Sequence, residues 1–148
     1  MSTEWTPELV VHDEELDRQH AEVFRRLEAA ALALAGTRAA SERAVREVVE
    51  AVVAHLAAEE RLMDEALYPD RARHRAAHEL FAADLLRLRD ELVANGATAN
   101  VRDGLLRRVP EWFRFHILAN DVPLAAFLAR RRPQPGDVRV RRDGRRPT

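Results

Sequence analysis

At 148 residues the chain is long enough to bury one core without help from disulfides. With 47% hydrophobic but only 5% aromatic residues, and Ala, Leu, Arg and Glu dominant, it favours helix formers and predicts an all-α domain. Its formal net charge of -1 gives no reason to expect nucleic acid or an anionic membrane as a main partner, and the absence of cysteine excludes disulfides, thiolate metal sites and cysteine nucleophiles.

The N-terminus Met-Ser-Thr-Glu-Trp has no basic region followed by an apolar stretch, and the longest apolar run, Ala29 to Ala35, is far below the roughly 20 residues that span a membrane. A cytoplasmic protein is expected. After an arm containing Trp5, Pro7 and Leu9-Val10-Val11, the positions Leu16, His20, Val23, Leu27, Ala30 and Leu34 recur at steps of three and four, which predicts a first helix ended by Gly36. A second seam runs Val45, Val48, Val52, His55, Glu59, Leu62 and Ala66, with Ser41 as its expected cap and Tyr68-Pro69 as its stop. The third reads His74, His78, Phe81, Leu85, Leu88, Leu92 and ends at Asn95-Gly96.

The fourth reads Leu105, Val109, Trp112, His116, Ala119, Pro123 and Phe127, with Asn100 or Asp103 as candidate cap. Pro110 and Pro123 lie inside it; each removes a backbone donor and crowds the carbonyl four residues earlier, so bends are expected near Leu106 and Ala119. Short connections favour an antiparallel up-down-up-down four-helix bundle over residues 1-131. Residues 132-148, with Pro133-Gln134-Pro135-Gly136 and an Arg-rich end, have no apolar face to bury and read as a short basic C-terminal tail, expected to be flexible.

Polar residues occupy core positions of all four seams. His20, His55, Glu59, His74, His78 and His116 fall where the pattern demands apolar side chains, and each would cost roughly 1 to 3 kcal/mol if left unpaired. A domain stable by only about 5 to 15 kcal/mol cannot carry that uncompensated. Residues four apart on a helix project from one face, so His55/Glu59 and His74/His78 can each converge on a common centre. A metal would compensate them. Asp121 follows His116 by five residues, out of ideal phase, and a turn widened by Pro123 between Ala119 and Pro123 would swing it inward. A lone His-x-x-x-His pair is weak evidence, since such histidines are more often structural or solvated; seven positions on four helices are much stronger. His12 lies before the first seam and reads as a surface residue, Glu60 as an exposed helix carboxylate, and the Arg-rich tail as a solvated end.

These residues resemble the hemerythrin family. Its Asp-x-x-His pattern appears as Asp17-Arg-Gln-His20, its second-helix pattern as His55-Leu-Ala-Ala-Glu59-Glu60-Arg-Leu-Met63 followed by Tyr68-Pro69, and its third as His74-x-x-x-His78. The fourth helix supplies Trp112-Phe113-x-x-His116-Ile117 with Asp121, and Trp5 is similar to the tryptophan near the start of bacterial members. The resemblance implies two iron ions: one held by His74, His78 and His116, the other by His20 and His55, with Glu59, Asp121 and a hydroxide bridging both.

On that assignment the first iron is complete at six ligands and the second has five, so dioxygen would bind reversibly at the iron held by His20 and His55. The implied roles are oxygen storage, transport or sensing. Five imidazoles against two carboxylates suit a carrier better than an enzyme; a di-iron enzyme with peroxidase, oxidase or nitric oxide chemistry is the alternative, and a sensor or interaction module a third reading. Phe113, Trp112 and Phe24 are candidates for the oxygen pocket. Hemerythrins usually place leucine where this chain has Phe113; turned inward, the larger ring would narrow the pocket, with Phe24 and Phe115 competing for the same volume.

Overall fold

The computed structural model describes residues 4–131. The expected Arg-rich tail lies outside the described residues. Four helices pack antiparallel: α1 (Glu14–Ala33), α2 (Arg38–Glu65), α3 (Arg71–Asn95) and α4, a continuous rod that begins at Ala99–Asp103 and ends at Val122–Arg131. α2 lies against both α1 and α3, while α4 packs on α3 and α1 and closes the bundle. A 3-10 turn at Pro7–Leu9 precedes α1, and no strand occurs among the described residues.

The ends show which side chains win the capping competition. Asp13 accepts a bond from Leu16 N at the start of α1, and Thr37 Oγ1 accepts from Ala40 N at the start of α2. Ser41, the cap expected from sequence, sits one turn inside; its hydroxyl donates to the carbonyls of Ala33 and Thr37 and ties the α1–α2 corner instead. On α4 the cap is Thr98, not Asn100 or Asp103: its Oγ1 accepts from Val101 N, while Asn100 donates its amide to Glu91. The fourth seam as read from the sequence starts at Leu105 and so points to caps nearer to it than Thr98. α1 ends at Ala33, and Gly36 closes the following turn by donating to Ala33 O. Gly96, at φ 78°, ends α3 in a left-handed conformation that favours glycine.

The core is aliphatic: Leu16, Val23 and Leu27 from α1 meet Val45, Val48 and Val52 from α2, Phe81, Leu85 and Leu92 from α3, and Leu105, Phe113 and Ile117 from α4. A smaller cluster of Met63, Tyr68, Leu124 and Leu128 lies beyond. Along α2, α3 and α4 the buried histidines and carboxylates fall where the larger cluster gives way to the smaller, with buried apolar residues on both sides of them in sequence.

Two stretches of α4 are π-helical, Gly104–Arg108 and Ile117–Asp121. The first coincides with the bend expected near Leu106. The second widens the helix just upstream of Pro123, beginning two residues earlier than the expected Ala119 to Pro123 turn; its closing bond is donated by Val122 N, the residue before the proline, to Ile117 O.

Candidate metal centre

Seven buried polar side chains meet between the four helices. His20 comes from α1, His55 and Glu59 from α2, His74 and His78 from α3, and His116 and Asp121 from α4; none is more than 2% exposed. The i,i+4 pairs share a face, as regular helix requires. Asp121 reaches the same centre because the π-turn adds a residue between it and His116.

The donor atoms form two overlapping groups. One is Glu59, His74, His78 and His116, the other His20, His55, Glu59 and Asp121, and within each the ligand atoms lie within 4.8 Å of one another. Asp121 spans the two: its Oδ2 is 2.9 Å from His20 Nε2 and 3.8 Å from His55 Nε2, while its Oδ1 is 3.0 Å from His116 Nε2 and 3.2 Å from His74 Nε2. Glu59 Oε2 stands 3.0 Å from His78 Nε2, 3.4 Å from His74 Nε2 and 3.6 Å from His55 Nε2.

A cation fits this donor set. Nε2 of His116 lies 3.2 Å from Nε2 of both His74 and His78, and neutral imidazoles pointing lone pairs at one another at that distance need a positive charge among them. Two buried atoms aimed into the cluster, His55 Nε2 and Glu59 Oε1, have no hydrogen-bond partner among the described residues. Each would cost about 1 to 3 kcal/mol uncompensated. With imidazole nitrogen and carboxylate oxygen and no thiolate, the chemistry suits a first-row transition metal, and the shared carboxylates suit two of them.

The electrostatics of the metal-free cluster point the same way. Burial pushes Glu59 up, as does the charge of Asp121, yet the facing His55, His116 and His74 hold it at about 2. Asp121 is likewise held well below the usual carboxylate range: burial opposes its charge, but the facing His116, His20, His55 and His74 prevail. Burial lowers His116, but Asp121 and Glu59 outweigh it and lift the ring to about 9, and His74 is raised by the same two carboxylates. Protons on the histidines thus supply the positive charge that the carboxylates demand.

Around this centre the structure places Phe113 fully inward, its ring centroid 5.7 Å from those of both His20 and His55. Phe24 packs behind it at 5.3 Å, whereas Phe115, at 67% exposed, does not compete for the space. Trp112 lies on the opposite group, stacked between His116 at 4.7 Å and Phe81 at 3.7 Å. It borders neither His20 nor His55 among the ring contacts. His12 is exposed and lies apart from the cluster. Asp17 accepts a bond from Val11 N at 2.8 Å and so fastens the N-terminal arm to α1.

Two neighbours of the site were not legible as such. Gln19 Oε1 lies 2.8 Å from His55 Nδ1, and Glu60 Oε1 lies 3.1 Å from His78 Nδ1. Glu60 is therefore not the free helix carboxylate expected from sequence. The only available signal was adjacency: each sits one residue from a ligand position and faces the neighbouring helix.

The family model for the hemerythrin HHE cation binding domain matches residues 11–126. A bacteriohemerythrin from Stenotrophomonas maltophilia (strain R551-3) is 30% identical over 118 residues, covering 79% of this chain and 75% of that protein. Hemerythrin-like proteins from Naegleria gruberi and Naegleria fowleri are each 27% identical over 124 residues, covering 84% of this chain and 92% of theirs.

Proposed function

The chain belongs to the hemerythrin family, and on that premise we propose that its centre holds two iron ions and binds dioxygen reversibly. The observation that carries this reading is a pair of donor groups, three imidazoles in one and two in the other, with Glu59 common to both and Asp121 within reach of both. His74, His78 and His116 would hold one iron, His20 and His55 the other, with Glu59 and Asp121 shared. A ferrous pair supplies the two electrons that reversible oxygen binding requires. The His20/His55 side is one imidazole short of the other, and that is where a small ligand would bind.

The surrounding side chains fit this task. Phe113 lays an apolar ring edge-on to both His20 and His55, so hydrocarbon walls this side. Glu15 fixes Gln19 by accepting from its Nε2 at 2.9 Å, which leaves Gln19 Oε1 to accept from His55 Nδ1–H and keeps His55 Nε2 free to ligate.

Aerobic, iron-loaded protein should contain two irons per chain and show charge-transfer bands that disappear on deoxygenation and return on re-aeration over several cycles. A colourless protein holding only zinc would overturn the iron assignment, and bands lost irreversibly at the first exposure would assign the centre to an enzyme. Phe113→Leu should raise the oxygen association and autoxidation rates together; unchanged rates would remove Phe113 from the pocket.

A further inference from the structure

Each of the five histidines presents Nε2 to the centre, so what distinguishes them is the group behind Nδ1. Behind His55 stands the side-chain amide of Gln19, and behind His116 that of Asn120 at 3.3 Å. Nδ1 of His20 and of His74 has no hydrogen-bond partner among the described residues. Behind His78 alone stands a carboxylate, Glu60, 3.1 Å away. A carboxylate only accepts, so His78 must carry its proton on Nδ1. Glu60 is also held in place: its second oxygen lies 3.5 Å from Arg75 Nε, and Arg75 is anchored on Asp64 at 2.9 Å.

A carboxylate at the outer N–H of a ligating imidazole draws that proton away, makes the ring a stronger donor and favours the metal's higher oxidation state; a neutral amide does this much less. The two donor groups therefore differ in charge behind the ligands as well as in number of ligands. Resting on the di-iron reading, we infer that Glu60 is a positioning residue that makes the iron of the His74/His78/His116 group the first to become ferric. In a one-electron oxidation, a single ferricyanide takes one electron from that iron and leaves the His20/His55 iron, on the Phe113 side, ferrous. The inequality keeps electrons on the side where a small ligand would bind.

The test is a redox titration of protein loaded with two irons, with the valence of each site read by Mössbauer spectroscopy of the one-electron-oxidised form. Glu60→Gln keeps an acceptor and removes the charge. It should favour the ferrous state of the His78 side about tenfold, an upward shift of about 59 mV for one electron. Gln19→Glu adds a charge behind His55 and should move that side's potential downward, narrowing the preference for which iron oxidises first. A purely structural role would alter iron content or melting temperature without moving the potentials. Two-iron variants with unchanged potentials would overturn the inference and leave the di-iron reading standing; if Glu60→Gln fails to load, an unmoved potential in Gln19→Glu has the same force. Unaltered protein that holds no iron would sink the di-iron reading itself, and the inference with it.

Discussion

Pro110 and Pro123 each follow a residue whose N–H reaches back five positions, Val109 to Gly104 O and Val122 to Ile117 O, so the two π-turns of α4 share one local cause. A proline ring crowds the carbonyl four residues before it, and a wider turn relieves the contact. Their consequences are opposite. The first turn brings Gly104 against Leu88 and delivers Leu105 and Val109 into the aliphatic core. The second starts with Ile117 in that same core and ends with Asp121 in the polar cluster. In regular helix a residue five beyond His116 would sit about 140° around the axis, at about 100° per residue. Proline thus explains where the helix widens, and the side chain at the end of the turn decides whether the result is packing or chemistry.

Removing what each turn delivers should separate the two most clearly. Asp121→Ala leaves the two donor groups with one shared carboxylate, and metal affinity should fall by more than about 100-fold, since even outer partners of ligands are worth about 10- to 100-fold. Leu105→Ala should cost about 2 to 5 kcal/mol of stability and leave the metal content alone. Metal analysis beside thermal melts checks both; equal metal loss in the two variants would erase the distinction between the turns.

Chelation should lower the melting temperature, because removing the cations returns His55 Nε2 and Glu59 Oε1 to an uncompensated state. Hydrogen exchange should localise the loss. Amides from Asn120 to Val122 should lose protection in the metal-free protein, while those from Leu105 to Val109 keep theirs. Uniform loss along α4 would show that the metal stabilises the helix as a whole rather than the second turn.

The metal-free protein should also acquire a pH dependence seated at the second turn. Burial opposes a charge on His116, but Asp121 and Glu59 raise it from 6.5 to about 9. Its contribution is therefore complete below pH 6.5 and lost as the pH rises through 9. Glu59, held at about 2 against an ordinary 4.5, contributes fully above pH 4.5 and loses its effect as the pH falls through 2. Metal-free protein should melt highest between about pH 4.5 and 6.5 and decline toward pH 9. Metal-loaded protein, with His116 Nε2 occupied, should lack that alkaline decline; parallel profiles would place its origin elsewhere.

What could be read from the sequence divides along the same line. The first three seams, the fourth as far as His116, the histidine pairs and the need for a widened turn before Pro123 were legible because helical periodicity and proline sterics are local rules; beyond His116 the π-turn shifts the phase, so the expected Ala119 and Pro123 are exposed and Leu124, Ala125 and Leu128 are buried instead. The caps were less so: Ser41 and Thr37 are both plausible by residue type, and only the path of the α1–α2 corner selects Thr37. Gln19 and Glu60 were not legible as partners of His55 and His78. Their roles depend on which neighbouring helix lies within about 3 Å of an outer ring nitrogen, a tertiary fact that no single-helix pattern carries. Phe113 stood between these cases: the resemblance put it forward for the oxygen pocket, while its contact with both His20 and His55 required α1 and α2 to be in place.

The smallest effect expected, and the sharpest test of the first turn as packing alone, is Gly104→Ala. A methyl at this position would lie 2.5 Å and 2.7 Å from the two terminal carbons of Leu88 and 3.2 Å from an Arg108 guanidinium nitrogen. Exchanging the two Leu88 methyls by rotation gives no relief, because both are already too close, so the buried side chain must leave its rotamer or α3 must move. Such overpacking costs roughly 1 to 3 kcal/mol. Against this, alanine in place of glycine within a helix returns about 1 kcal/mol. The net should be a loss of about 1 kcal/mol, read as a lower melting temperature of a few degrees. Shortening the neighbour in the double variant Gly104→Ala, Leu88→Ala should make the glycine substitution neutral or favourable relative to Leu88→Ala alone. Metal content should stay the same in all three variants. Loss of metal in Gly104→Ala would mean that the two turns are mechanically linked along α4, and the first could no longer be called packing alone.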